Sequence, residues 1–296
     1  YLYKYPQNEF PYARLVAENR SRGRRAPEFE LVNTGIFDDD RYFDVFVTYA
    51  KATTEDILVN IEVINRGPDP ADLHLLPTVW FRNTWSWGLG ERRPRLRQGE
   101  ADKKASVIRL HHPYYGDRWL LCAGAPELVF TENETNKKRL YGSDNETACV
   151  KDGINDYIVH NMKDAVSRDG VGTKAAAHYV LNVAANASSF VRLRFTDQDL
   201  TRSRTHPLGS EFDRILSDRR AEANEFYATI IPSSLSADGK NVMRQALGGM
   251  LWSKQFYNYD LSRWLRGDPE GPESPRERLN GRNHEWTHLY NADVIS

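Results

Sequence analysis

Tyr42-Phe43-Asp44-Val45-Phe46-Val47-Thr48-Tyr49-Ala50 decides the fold class. It is aromatic and β-branched, and a period of two places Phe43, Val45, Val47 and Tyr49 on one face, the pattern of a half-buried strand. Asp56-Ile57-Leu58-Val59-Asn60-Ile61-Glu62-Val63-Ile64-Asn65 repeats the alternation and stops at Arg66-Gly67-Pro68-Asp69-Pro70, a turn built from residues that fix φ or tolerate positive φ. Leu73 to Phe81 resumes as a strand. Val107–Leu110, Trp119–Cys122, Leu128–Phe130, Ala176–Val183 and Phe190–Phe195 have strand length and turn-rich gaps between them. Many short strands without intervening helical patterns predict a mainly β fold of antiparallel sheets stacked as a sandwich.

The period changes after Pro207. Phe212, Ile215, Leu216, Ala223, Phe226 and Tyr227 follow three-and-four spacing, which predicts an amphipathic helix over Ser210 to Ala228. After a break at Ile230-Ile231-Pro232-Ser233-Ser234, Ser236 or Asp238 is placed to cap a second helix running to about Tyr257. Gly248-Gly249 inside it predicts close packing on another helix. Arg266 to Arg282 reads as a long loop rich in Gly, Pro, Glu and Arg. The expected organisation is a β-sandwich over 1–205, a linker helix over 206–234 and the opening of a helical domain over 235–296.

The 296 residues are long enough to bury a substantial core, and 40% hydrophobic with 27% charged residues is a globular composition. Forty basic against 41 acidic residues leave a net charge of -1, which gives no footing for nucleic-acid binding by counterion release. No apolar run is long enough to span a bilayer, so a membrane partner is not expected, and the expected compartment is the cytoplasm. The 2 cysteines, Cys122 and Cys149, form no CxxC pair and no disulfide framework. Asn-x-Ser/Thr triplets at Asn19, Asn133, Asn145 and Asn186 arise readily by chance and do not establish secretion. Both ends read as cuts through a longer polypeptide.

Three strings carry candidate chemistry. His284-Glu285-Trp286-Thr287-His288 fits H-E-x-x-H, the pattern of a zinc peptidase that pairs two imidazoles with a water-activating Glu285. That mechanism needs a helix and a third ligand, and the preceding Asn280-Gly281-Arg282-Asn283 reads as a turn. Trp80-Phe81-Arg82-Asn83-Thr84-Trp85-Ser86-Trp87 sets aromatic faces beside polar groups. This suits stacking on sugar rings, with Arg82, Asn83 and Trp85 as binding candidates and Trp80 in the core. Asp38-Asp39-Asp40 lacks the spaced ligands of a calcium loop and reads as a solvated turn neutralised by Arg41, and His111-His112 as strand-end surface. No phosphate-cradling glycine loop and no G-x-S-x-G elbow occur.

Longer strings carry a family resemblance. They are Tyr3-Lys4-Tyr5-Pro6-Gln7, the run from Asn33 to Val45, the run from Leu76 to Trp87, Leu251-Trp252-Ser253-Lys254-Gln255-Phe256-Tyr257 and Tyr290-Asn291-Ala292-Asp293-Val294-Ile295-Ser296. Together they resemble bacterial glucosidases of glycoside hydrolase family 63, which also contains the processing glucosidase of mannosyl-oligosaccharides. The resemblance implies an antiparallel super-sandwich, a linker helix and then the first helices of an (α/α)6 barrel. It also implies inverting acid/base hydrolysis of α-glucosides or oligosaccharides with no metal or organic cofactor. The general acid would be an Asp directly after a Trp, just beyond the Asn-Ala-Asp-Val-Ile-Ser string. None of the 7 tryptophans here precedes an Asp, so no catalytic residue can be assigned within 1–296 and this stretch alone is expected to be inactive. Inversion needs two carboxyls held roughly 6.5–9.5 Å apart around a water. By position, Trp252, Lys254, Gln255, Tyr257, Trp286, Tyr290, Asn291 and Asp293 join Arg82, Asn83 and Trp85 as candidates to line the sugar pocket. A non-catalytic carbohydrate-binding sandwich is the remaining alternative.

Overall fold

The computed structural model describes residues 1–87, 92–100, 104–203, 205–253, 255–267 and 271–295, apart from the side chains of residues 202 and 293–295. Its elements run β1 (Leu2–Pro6), α1 (Tyr12–Ser21), β2 (Tyr42–Thr53), β3 (Asp56–Asn65), β4 (Ala71–Leu75) and β5 (Thr78–Trp80). There follow β6 (Arg95–Gln98), β7 (Ala105–His112), β8 (Gly116–Ala123), β9 (Glu127–Thr131), α2 (Lys137–Tyr141) and α3 (Gly153–His160). The chain continues through β10 (Val171–Gly172), β11 (Lys174–Val183), β12 (Ser188–Thr196), α4 (Ser210–Ile230) and α5 (Ala237–Trp252). Last come β13 (Gln255–Asp260), α6 (Leu261–Arg266) and β14 (Tyr290–Ile295).

The fold is mainly β and antiparallel, as the alternating sequence implies. One sheet has the order β1-β2-β3-β12-β8-β7-β6-β10, and the other joins β4, β5 and β9 to β11. The layers face each other across one core. Phe43, Val45, Ile61, Val63, Leu120 and Leu193 come from the large sheet, and Leu73, Phe130, Ala175 and Ala177 from the small one. The turn after β3 passes the chain between sheets, and buried Asn65 braces it. Its carboxamide accepts from the Gly67 N–H at 2.8 Å and donates to the Asp69 carbonyl at 2.8 Å and the Val183 carbonyl at 2.9 Å. Arg41 pairs with Asp69 at 3.0 Å rather than with the Asp38–Asp40 run expected from sequence.

The outer face of the large sheet is also apolar, because alternate residues of one strand serve opposite faces. In β8, Leu120 and Cys122 join the inter-sheet core while Trp119 and Leu121 point the other way. Leu58 and Val107 share that outer layer with Leu208, just before α4, and with Phe212 and Ile215 in its first turns. Arg194, buried on this side, forms a doubled contact with buried Asp56 at 2.6 and 3.0 Å and donates to the Pro207 carbonyl at 3.0 Å. Arg192 donates to Asp213 at 2.6 Å and to the Leu208 carbonyl at 3.1 Å. The start of α4 is therefore riveted to the sheet.

Several expectations change. Tyr49, read as a fourth core position of β2, is exposed and meets the ring of Trp252 at 5.5 Å. Helix α5, capped by Ser236 Oγ accepting from the Gly239 N–H at 3.1 Å, stops at Trp252 instead of near Tyr257. Gly249 has open space around it and Gly248 only an ordinary approach to the Tyr227 hydroxyl, so the glycine pair marks no tight helix crossing. The segment after α5 is a two-stranded ribbon of β13 and β14, not a continued helix, with Tyr257 opposite Asp293 and Tyr259 opposite Asn291. Aromatic and β-branched residues explain it, but each pairs with a partner 30 to 40 positions away, beyond any local window. Among the described residues between Arg266 and Arg282 there is one 3-10 turn, Arg276–Asn280. Among the described residues no helix is long and apolar enough to cross a membrane.

Candidate functional site

A cleft of about 640 Å³ opens where β5 leaves the small sheet, lined among others by Trp80, Arg82, Asn83, Trp85, Glu134 and Lys151. The three-residue strand β5 explains its first wall. Val79 and Phe81 reach inward to the core, so Trp80 between them turns outward and is 55% exposed. The expectation that Trp80 sits in the core is thereby overturned: alternation sends its neighbours in and its own indole to the cleft.

The loop after Trp80 is held by reciprocal amides. The Asn83 side chain donates to the Asn133 carbonyl at 3.0 Å, and the Asn133 side chain donates to the Phe81 carbonyl at 2.9 Å. Asn83 Oδ1 accepts from the Ser86 N–H at 3.1 Å and the Ser86 hydroxyl at 2.8 Å. Asn83 thus staples the loop that presents Arg82 and Trp85, a positioning part beyond the direct binding role expected of it.

Trp85 donates its indole N–H to Glu134 Oε1 at 3.0 Å. Arg93 Nη2 reaches the same oxygen at 2.8 Å and Glu132 Oε2 at 2.8 Å. Thr173 links the other side of this array, donating its hydroxyl to Glu132 at 2.6 Å while accepting from the Asn133 N–H at 2.7 Å. Glu132 and Glu134 flank Asn133 just past β9, so their alternation in the chain brings both to one guanidinium. On the far wall Lys151 donates to Thr135 Oγ1 at 3.2 Å, and Lys174, opposite Trp80 in register, donates to the Lys151 carbonyl at 2.8 Å. Burial pulls the Lys174 ammonium below its usual range, and the charge of Lys151 adds to the shift. Chemically the arrangement can bind: aromatic faces, a guanidinium and carboxylate oxygens are held in place before any ligand arrives.

The structure gathers Arg82, Asn83 and Trp85 in this cleft and sets Gln255, Tyr257, Tyr290 and Asn291 on the β13–β14 ribbon. The two groups adjoin, because the Arg82 guanidinium lies over the Phe256 ring, 4.8 Å from its centroid. Trp252 stands apart, packed at 5.1 Å on Tyr1 and at 5.5 Å on Tyr49. Trp286 is half-exposed in the turns before β14, its backbone N–H donating to the Asn283 carbonyl at 3.0 Å. Lys254 and the side chain of Asp293 lie outside the described residues. The H-E-x-x-H string occupies turns, with the His284 ring bonded to the Gly281 carbonyl at 2.8 Å, so the helical spacing the zinc reading requires is not formed. Among the described residues no group of three His, Cys, Asp or Glu side chains is placed to hold a metal ion. Sequence reasoning missed Arg93, Glu132, Glu134 and Lys151. Asn133-Glu134-Thr135 was visible only as a glycosylation triplet, and only the fold turns it into a site.

No protein-family model matches the chain. It is similar to the uncharacterized protein YMR196W of Saccharomyces cerevisiae, at 33% identity over all of this chain and 31% of that protein. The chain therefore spans about a third of the length of that curated relative. Among solved structures, a polysaccharide lyase superposes on 52% of this chain and 20% of its own, at 10% identity and a TM-score of 0.32. A putative kojibiose phosphorylase from the human microbiome covers 74% of this chain and 22% of its own, at 10% identity and a TM-score of 0.27. Superpositions this loose carry no inference about chemistry.

Proposed function

We propose that this chain is the N-terminal portion of a glycoside hydrolase that acts on α-glucosides or α-linked oligosaccharides by inverting acid/base hydrolysis. Residues 1–205 form its sandwich, 206–234 the linker helix, and 235–296 the start of a helical catalytic domain whose acid and base follow in the polypeptide. The family resemblance of the long strings supports this reading. One structural observation carries it: Arg82 on Phe256 joins the aromatic loop of the sandwich to the ribbon that bears Gln255, Tyr257, Tyr290 and Asn291. A sugar pocket built from both parts needs that junction.

The surface after the linker also supports the domain division. Helix α5 buries no residue, while Val242, Met250, Leu251 and Phe256 are exposed. Exposed apolar side chains of this kind suit the packing of further helices against them. Hydrolysis requires one protonated and one ionised carboxyl on either side of the scissile bond, and the array of Glu132 and Glu134 about Arg93 serves binding instead. A polypeptide extended past residue 296 is expected to release glucose from α-glucosides with inverted anomeric configuration, read by proton NMR. Residues 1–296 are expected to release none. Sugar release by residues 1–296 alone, or retention of configuration in the longer polypeptide, would overturn the proposal.

A second reading, a sandwich that binds saccharide without catalysis, draws on the outward Trp80 and the Trp85–Glu134 pair. Saccharide binding with no hydrolysis by the extended polypeptide would favour it.

A further inference from the structure

The turn between β7 and β8 presents two tyrosines to solvent. Tyr114 is 85% exposed and Tyr115 55% exposed. His112 pairs with Gly116 across the hairpin, leaving Pro113, Tyr114 and Tyr115 as the connection, and Gly116 takes φ +70. A three-residue connection closed by a left-handed glycine is a well-formed hairpin turn, and Pro113 removes a further degree of freedom. His112 Nδ1 accepts from the backbone N–H groups of both Tyr114 and Tyr115, at 3.1 and 3.2 Å. The tip is thus ordered although its side chains are bare.

These rings are also tied to the cleft. Tyr114 meets Tyr115 edge-on at 5.1 Å, Tyr115 lies 4.6 Å from the His112 ring, and His112 lies 4.6 Å from Phe81. Phe81 immediately precedes Arg82, and its carbonyl receives the Asn133 amide that braces the cleft loop. Strand β6 gives a second link: Arg95 pairs with His111, two residues after the Arg93 that clamps Glu134. The tip and the cleft therefore occupy the same end of the sandwich, with a run of rings from Tyr114 to Phe81, the residue next to Arg82.

We propose that Tyr114 and Tyr115 form an outer platform for an α-linked glucose chain, stacking on units beyond those held at Arg82 and Trp85. This inference rests on the saccharide reading of the cleft. Aromatic faces match the apolar faces of pyranose rings, and a platform already fixed by its backbone loses little freedom on binding. The platform makes affinity depend on chain length, since the units that reach it lie beyond those held at Arg82 and Trp85.

Isothermal titration of the chain with maltose and with maltohexaose tests this. The longer chain is expected to bind roughly tenfold tighter, the worth of one good aromatic contact. In Tyr114→Ala/Tyr115→Ala the ratio of the two affinities is expected to collapse towards one, and Tyr114→Phe/Tyr115→Phe is expected to restore it, because the ring face carries the contact. Arg82→Ala is expected to weaken both ligands together. Maltose binding combined with an unchanged ratio in the alanine variant would overturn the platform alone. Absence of binding by either saccharide to the unaltered chain would overturn the cleft reading and the platform with it.

Discussion

Trp85 donates its indole N–H to Glu134 at 3.0 Å, and Arg93 reaches the same carboxylate oxygen at 2.8 Å. That shared acceptor couples the aromatic loop to the strand-end carboxylates. The platform of the cleft is held by charge-assisted hydrogen bonds, the stronger kind, rather than by packing.

Glu134→Ala is expected to cost about 1–3 kcal/mol in urea unfolding, because it removes an acceptor shared by two donors. Trp85→Phe deletes one neutral donor and leaves Arg93 in place, so its cost is expected near 1 kcal/mol. Unfolding midpoints and slopes of the two variants check the order. Trp85→Ala is further expected to abolish any quenching of tryptophan fluorescence by α-glucosides.

The Arg194–Asp56 pair is buried on the α4 side of the large sheet. Truncating one partner strands a buried charge, so Arg194→Ala or Asp56→Ala is expected to lose about 3–5 kcal/mol. The double change to Arg194→Met with Asp56→Leu is expected to lose less than either single truncation, since no charge remains to be desolvated. A large loss in Arg194→Ala and in the double change, with little loss in Asp56→Ala, would mean that the Pro207 carbonyl contact, not the ion pair, holds the helix start.

Only the first turns of α4 dock on the sheet. Phe212 is fully buried there, whereas Phe226 on the same helix is 56% exposed. Phe212→Ala is expected to cost about 3–5 kcal/mol, and Phe226→Ala to stay within about 0.5 kcal/mol, in chemical denaturation of the chain. A large loss at Phe226 would show that the second half of the helix packs against the sandwich.

Asp44 is buried between Lys4 and Arg66, each at 2.7 Å. Burial pushes its carboxyl up, and the hydrogen bonds from Lys4 and Arg66 more than reverse this, leaving it below the usual carboxylate range. A carboxyl lowered by folding binds fewer protons in the native state, so its stabilisation is present above the ordinary value and lost as pH falls through the lowered one. Stability is therefore expected to drop below about pH 4, the ordinary range for Asp. In Asp44→Asn that part of the acid slope should vanish, which thermal melts at a series of pH values will show.

The strand-rich half of the chain was legible because each strand carries its own period. Phe43, Val45, Ile61, Val63 and Leu193 lie in the core where alternation puts them. The helices α1 to α3 were not: α1 and α2 bury no residue, and α3 is short, so no apolar stripe announces them. The β13–β14 ribbon escaped because its two strands lie far apart in the chain. Of the binding candidates, Arg82, Asn83 and Trp85 were found by composition, whereas Arg93, Glu132, Glu134 and Lys151 were not. Acidic and basic residues in turns look alike in a sequence whether they are solvated or converge on one another.

What the sequence by itself determined is the class of structure: antiparallel sheets, then an amphipathic helix beginning just after Pro207. Periodicity is a local property, and the hydrophobic effect reads it directly. Only the tertiary structure decided that Trp80 faces a cleft, that Arg82 rests on Phe256, and that one arginine gathers two glutamates beside Trp85. Those relations join residues tens to hundreds of positions apart. They exist because strands from different parts of the chain end at the same edge of the sandwich, a fact of packing that no local pattern contains.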